Sequence, residues 1–121
     1  MKHLIFLLSC FLILSAGCDD EGNLQNLLIY DDSTVQIYLN EVLDARCPID
    51  VLCFWEGNAE VHMLLMANGQ SANFVLNTYT NYDNSISVLG YDITLNDVLP
   101  YPVSTEPIPE IEDYIIDLAV N

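Results

Sequence analysis

The sequence predicts an all-β domain, an immunoglobulin-like antiparallel β-sandwich of about seven short strands with one disulfide-stapled loop. Apolar and polar residues alternate with a period of two along most of the chain, and none of its segments has the 3.6-residue period of a helix. Four prolines between residues 100 and 109 are incompatible with a helix there. A Greek-key strand order is the leading expectation, and an open barrel is the alternative.

Seven runs carry the strand pattern. The clearest is 59–67, where the odd-numbered residues are apolar on one face while Glu60 and His62 lie on the other. Asn68-Gly69 follows it and predicts a tight hairpin, because both residues tolerate the positive φ of a type I′ turn. The strands are predicted at residues 27–30, 35–39 with an extension to 43, 59–67, 71–77, 85–89, 91–98 and 114–120.

Residues 1–17 have the pattern of a secretion signal. Lys2 gives a positive start, residues 4–14 form an apolar run, and three small residues precede Cys18. The apolar run is shorter than the about twenty residues that a transmembrane helix needs. Cleavage before Cys18 is therefore expected, and residues 27–121 are expected to form the folded domain.

The residues LSAGC that end at Cys18 resemble the lipobox of bacterial lipoproteins, in which the cysteine becomes the lipid-modified first residue. Ser15 departs from the Leu, Val or Ile usual at its position. The acidic residues that follow, within a tether at 18–26, resemble the surface-export signal of Bacteroidetes lipoproteins. The resemblance implies a lipid anchor in the outer membrane, with the domain at the cell surface or otherwise facing the periplasm. An ordinary secretory signal is the alternative.

Cysteine usage predicts one disulfide. Of the four cysteines, Cys10 lies in the signal and Cys18 is the expected lipid carrier. Cys47 and Cys53 remain, and an oxidising compartment favours a bond between them. The chain-entropy model assigns roughly 2–3 kcal/mol to a closed loop of about seven residues.

Charge excludes several partners. Once Lys2 is removed with the signal, Arg46 is the only Lys or Arg against 18 acidic residues, a formal net charge of −17. Nucleic acid is excluded as a partner because the phosphate backbone would be repelled, and no basic patch exists for phosphate or sulfate. Divalent cations and cationic surfaces are permitted.

Residues 44–59 read DARCPIDVLCFWEGNA. They resemble a motif of small secreted and lipid-anchored bacterial domains, D-S-R-C-P-x-x-V-x-C-x-W-x-G-x-A, in which Ala45 replaces the usual Ser. Residues 90–102 and the final DYIIDLAV resemble the ending of the same family, so the resemblance covers about residues 34–120. The family carries no assigned activity.

This motif predicts a rigid loop. Trp55 is expected to pack over the disulfide, and Gly57 to allow a tight turn into the next strand. Arg46 is expected to pair with Asp44 or Glu56 and to lay its guanidinium on Trp55. The loop either only locks onto the sandwich or also forms a binding surface. Its candidate residues are Arg46, Pro48, Ile49, Asp50, Val51, Leu52, Phe54, Trp55 and Gly57.

Catalytic and metal chemistry has little support in the sequence. His62 is the only histidine after the signal, and we expect it on the surface. No Gly-x-Ser-x-Gly elbow is present, and the cysteine spacing differs from the Cys-x-x-Cys of oxidoreductases. Calcium is the most favoured metal because acidic residues are plentiful, but no segment matches an EF-hand loop. We expect no enzyme activity and no cofactor.

The resulting hypothesis is a lipid-anchored envelope or surface protein that binds a protein or glycan ligand without catalysis. One alternative is an inhibitor of a hydrolase that uses the Cys47–Cys53 loop, and another is a calcium-dependent adhesive module. Asp32-Ser33-Thr34 also resembles the O-glycosylation sequon of Bacteroidetes, which makes Ser33 a candidate glycosylation site.

Overall fold

The computed structural model describes residues 26–105 and 107–121. The predicted secretion signal, Cys18 and nearly all of the acidic tether lie outside these residues. The described chain contains seven strands, a short 3-10 helix at Ile111–Asp113 and, over these residues, no helix long and apolar enough to cross a membrane. The strands are β1 (Leu27–Asp31), β2 (Val35–Asp44), β3 (Ala59–Ala67), β4 (Gln70–Asn77), β5 (Ser85–Val88), β6 (Tyr91–Leu99) and β7 (Ile115–Val120).

These strands form two antiparallel sheets, with the orders β1-β2-β3-β4 and β5-β6-β7. The predicted seven-stranded antiparallel sandwich is therefore confirmed. Within that class, the strand order differs from the expected Greek key, because each sheet is built from strands that follow one another along the chain. The connections from β1 to β2, from β3 to β4 and from β5 to β6 are two or three residues long, which keeps the entropy lost on closing them small. Residues 45–58 and 100–114 form the longer connections, from β2 to β3 and from β6 to β7.

The β3–β4 hairpin forms as its turn sequence predicts. Asn68 and Gly69 both have positive φ, at 54° and 73°, and Ala67 pairs with Gln70 across them. This register directs the odd-numbered residues of β3 inward, where they are buried. The alternation of apolar and polar residues in the sequence of β3 therefore matches the alternation of buried and more exposed side chains in the structure.

A single hydrophobic core joins residues of both sheets. Each fully buried Val, Leu, Ile, Phe or Met contributes about 1.5–3 kcal/mol relative to an exposed one. The buried apolar residues are Val35, Ile37, Leu39, Ala59, Val61, Met63, Leu65, Ala67, Phe74, Leu76, Val88, Ile93, Leu95, Val98 and Tyr114.

A β-bulge in β2 changes which side chains face inward. The register with β3 shifts between Leu39 and Glu41, so the inward alternation passes from odd to even residues. Val42 then packs against the core and Leu43 turns outward. The same shift carries Asp44, the last residue of β2, to the inner side, where its carboxylate is nearly buried.

Gly57 is required where the chain approaches β3. Its φ is +77°, and a Cβ there would lie 2.1 Å from the carbonyl oxygen of Ala45. Hydrogen bonds from Ala45 N to Asn58 O (2.8 Å) and from Cys47 N to Glu56 O (2.9 Å) hold the two segments this close. Gly57 therefore has a left-handed conformation within two paired segments, and residues 56–58 form no tight turn of the kind expected from the sequence.

Gly57→Ala is expected to lower the free energy of unfolding by about 3 kcal/mol, because left-handed strain and a backbone clash add. Gly69→Ala is the matched control: its φ is +73°, but nothing lies within 4 Å of the added Cβ. The control should lose only about 1 kcal/mol from the strain. Urea denaturation measures both, and equal losses would contradict the close approach at Gly57.

Candidate functional site

Arg46 and Asp44 form a buried ion pair below the disulfide loop. Arg46 Nε and Nη2 donate to the two carboxylate oxygens of Asp44 at 2.8 and 2.7 Å. The two side chains are only 5% and 9% exposed. This two-point geometry is specific to arginine, because its planar fork matches a carboxylate. The predicted pairing of Arg46 with Asp44 is confirmed.

The same guanidinium ties the loop to the end of β6. Nη1 donates to the carbonyl of Val98 at 2.7 Å, and Nη2 donates to the carbonyl of Pro100 at 3.0 Å. Its carbon lies 5.0 Å from the centre of the Tyr101 ring. The expected stacking of Arg46 on Trp55 is therefore wrong, because Tyr101, which follows Pro100 in the chain, supplies the ring.

The buried setting changes the pKa of two groups. Burial acts to lower the pKa of the Arg46 guanidinium, but the hydrogen bonds and charge of Asp44 outweigh it and raise that pKa. Burial, followed by the charge of Asp44, raises the pKa of the Tyr114 hydroxyl, which lies 3.4 Å from the Asp44 carboxylate. With these raised pKa values, Arg46 stays charged and Tyr114 stays protonated at neutral pH. The ion pair between Arg46 and Asp44 therefore has a structural role.

The disulfide loop is closed by its own bond and is hydrogen-bonded to the segment that follows β6. The predicted Cys47–Cys53 bond is present, with the two Cα atoms 5.9 Å apart. The amides of Ile49 and Asp50 donate to the carbonyls of Pro102 and Val103, each at 3.1 Å. Tyr101 donates its hydroxyl to the carbonyl of Cys47 at 2.7 Å. The loop therefore has little freedom relative to the sandwich.

Three apolar side chains project from this fixed loop. Leu52 and Phe54 are fully exposed, and Ile49 is 70% exposed. We refer to Ile49, Leu52 and Phe54 as the apolar tip. Single exposed apolar residues are common on protein surfaces, whereas these three lie within six residues of one another in the sequence. All three residues of the tip are among those that the sequence suggested. Of the neighbouring candidates, Pro48 is partly buried and Asp50 is exposed.

An open cavity of about 520 Å³ lies beside the loop. Its volume is in the range of ligand pockets, and its wall is mainly prolines and aromatic rings around the Asp44–Arg46 pair. Sequence reasoning treated the proline-rich segment after β6 only as a connection and missed this cavity. Side chains around it include Arg46, Pro48, Tyr101, Val103, Ile108 and Tyr114.

Trp55 lies in an aromatic group at the other side of the loop. Its ring is 5.3 Å from that of Tyr79, and Tyr79 is 5.0 Å from Tyr82, both in edge-to-face geometry. Trp55 is 51% exposed, and the expected packing of its ring over the disulfide stays a prediction. Sequence spacing could not reveal this group, because 24 positions separate Trp55 from Tyr79.

The remaining candidate residues lie apart from this loop. Ser33 has a φ of 75° in the exposed β1–β2 turn, where the Asp31 carboxylate accepts a hydrogen bond from its backbone amide. His62 lies 2.7 Å from Glu60 on the outer face of β3, as expected. Among residues 26–105 and 107–121, no three His, Cys, Asp or Glu side chains form a group that could hold a metal.

Comparisons with protein-family models, curated proteins and solved structures give no match to this chain. The functional argument therefore depends on the geometry of the loop and its surroundings. The resemblances to the lipoprotein signal and to the cysteine motif stay predictions.

Arg46→Met is expected to lower the free energy of unfolding by about 3–5 kcal/mol, because Asp44 would be left buried without its partner. The double variant Asp44→Leu, Arg46→Met removes both charges and should recover part of that loss. Urea denaturation compares the two. Equal losses in the single and double variants would mean that the unpaired carboxylate is not the cause.

Proposed function

We propose that this chain is a lipid-anchored cell-envelope protein whose domain binds a protein partner through the apolar tip and the adjoining cavity, without catalysing a reaction. One observation carries the proposal: Leu52 and Phe54 are fully exposed on a loop that a disulfide and hydrogen bonds hold in place. Exposing apolar side chains on a constrained loop is unfavourable for an isolated domain. It is useful where a partner covers them.

The fixed loop favours binding because the loop loses little conformational entropy when a partner associates with it. Each rotamer-rich side chain or flexible segment that is immobilised weakens an interaction, and a loop already held in place avoids part of that loss. The neighbouring cavity adds a concave surface next to the convex tip. A partner with a projecting side chain and an apolar depression would match both shapes.

The charge of the domain selects against a second copy as that partner. Arg46 is the only Lys or Arg after residue 2, and it is buried in its ion pair. Two copies would bring together surfaces that both carry net negative charge, which opposes association. A different protein with neutral or basic surroundings to its binding site fits better.

We expect the double variant Leu52→Ser, Phe54→Ser to lose at least 90% of partner binding, because exposed apolar residues at the centre of an interface dominate its affinity. Chemical crosslinking on intact cells, followed by mass spectrometry, identifies the captured partner with the wild-type chain. The matched control is Ile115→Ser, which removes an exposed apolar side chain from β7. Equal capture by the wild-type and double-variant chains would exclude the apolar tip as the contact.

An inhibitor of a hydrolase is the second candidate function. The observation that favours it is the full exposure of Leu52 and Phe54 at the disulfide loop, since such side chains could enter a substrate cleft. Inhibition assays against proteases and glycosidases distinguish this version, since an inhibitor would lower turnover and a different binding module would not. No observation favours the calcium-dependent adhesive module.

The lipid anchor is proposed from the residues LSAGC alone. Two or three acyl chains would hold the chain durably at a membrane, because each buried CH2 contributes about 0.8 kcal/mol.

Cys18→Ser should prevent acylation and release the domain from the membrane fraction. Labelling with a palmitate analogue and fractionation of cells that express the whole chain measure both effects. The control is Cys10→Ser, which alters a cysteine of the predicted signal and should keep the label. Labelling that persists in Cys18→Ser would contradict the anchor.

A further inference from the structure

The aromatic group at Trp55 leaves ring surface open to solvent. Trp55 contacts Tyr79 at 88° between ring planes, and Tyr79 contacts Tyr82 at 73°. Tyr79 is the partly buried middle ring, whereas Trp55 and Tyr82 are 51% and 49% exposed. The faces of aromatic rings carry negative electrostatic potential. Trp55 and Tyr82 thus each contact the ring of Tyr79 and keep about half of their surface open to solvent.

The turn that carries the two tyrosines is fixed to the segment that follows Trp55. The side-chain oxygen of Asn58 accepts hydrogen bonds from the backbone amides of Thr78 and Tyr79, at 3.1 and 3.0 Å. The amide of Tyr82 donates to the carbonyl of Tyr79 at 3.0 Å, which closes the turn. Asn81 donates to the Tyr79 hydroxyl at 2.9 Å. The three rings are therefore positioned before any ligand arrives.

Charge around the rings is negative without a competing cation. Glu56 follows Trp55 and Asp83 follows Tyr82, and both residues are exposed. Arg46 is the only Lys or Arg among residues 26–121, and its charge is already paired with Asp44. An anionic ligand would be repelled here, and a neutral sugar would gain nothing from the charge. An organic cation gains both from the ring faces and from the carboxylates.

We propose that Trp55, Tyr79 and Tyr82 form a subsite for an alkylammonium or guanidinium group, such as a lysine or arginine side chain of the protein partner. This inference rests on the proposed function, because the subsite would bind a cationic side chain of the same partner that contacts the apolar tip. Apolar residues of the partner contact the tip, and a cationic side chain lies over the rings. The partner segment is therefore both apolar and basic.

Fluorescence tests this subsite directly, because Trp55 is the only tryptophan in the chain. The lipid-free domain is titrated with tetramethylammonium chloride and with N-acetyl-arginine amide. Matched titrations use sodium chloride at the same ionic strength and the neutral N-acetyl-glutamine amide. The two organic cations should give saturable changes in Trp55 emission, and the two matched titrations should not.

Variants identify the ring contribution. Tyr82→Ala should weaken binding of both organic cations by about three- to fivefold, the range for an exposed cation–π contact. Tyr82→Phe keeps a ring face and should bind as the wild type does. Tyr38→Ala, which removes a partly buried ring from β2, is the control and should leave the titration unchanged. Thermal melting verifies that each variant is folded.

Three outcomes would overturn the subsite: an equal response to sodium chloride, unchanged cation affinity in folded Tyr82→Ala, or a saturable response to cellobiose alone, which would assign a neutral glycan instead. Failure of this proposal is separable from failure of the proposed function. If partner capture still depends on the tip while the cations do not bind, only the subsite is wrong.

Discussion

The buried guanidinium of Arg46 is the interaction on which the arrangement of the loop and cavity depends. It joins Asp44 at the end of β2, the carbonyls of Val98 and Pro100, and the ring of Tyr101. A buried ion pair adds little net stability compared with an apolar replacement, but its geometry is demanding. The main consequence of this pair is therefore positional: it sets where the disulfide loop meets the proline-rich segment.

The segment at this junction carries the apolar tip, part of the cavity wall, and Trp55, which contacts a tyrosine of the β4–β5 turn. All of it belongs to a domain with a large negative charge. Apolar contact would supply affinity in the proposed interaction, whereas charge would select partners and speed their encounter.

Much of the fold follows from local patterns in the sequence. Alternating residues predicted β3 and β4, Asn68-Gly69 predicted their hairpin, and the cysteine count predicted the disulfide. The bulge before Glu41 was not predicted, because a single extra residue in a strand has no strong sequence signature and is decided by pairing with β3. The ring that Arg46 stacks on was predicted wrongly for a similar reason, since Trp55 is near in sequence but Tyr101 is near in space.

The sequence by itself determined the all-β class, the cysteine pair and a large negative net charge, because each depends on composition or on neighbouring residues. It also made the loop around Leu52 and Phe54 a candidate binding surface. Only the tertiary structure decided that Arg46 reaches Val98, 52 positions away, that a cavity opens beside the loop, and that Trp55 meets Tyr79. Such contacts arise when two sheets pack, and local periodicity does not specify which distant residues then meet.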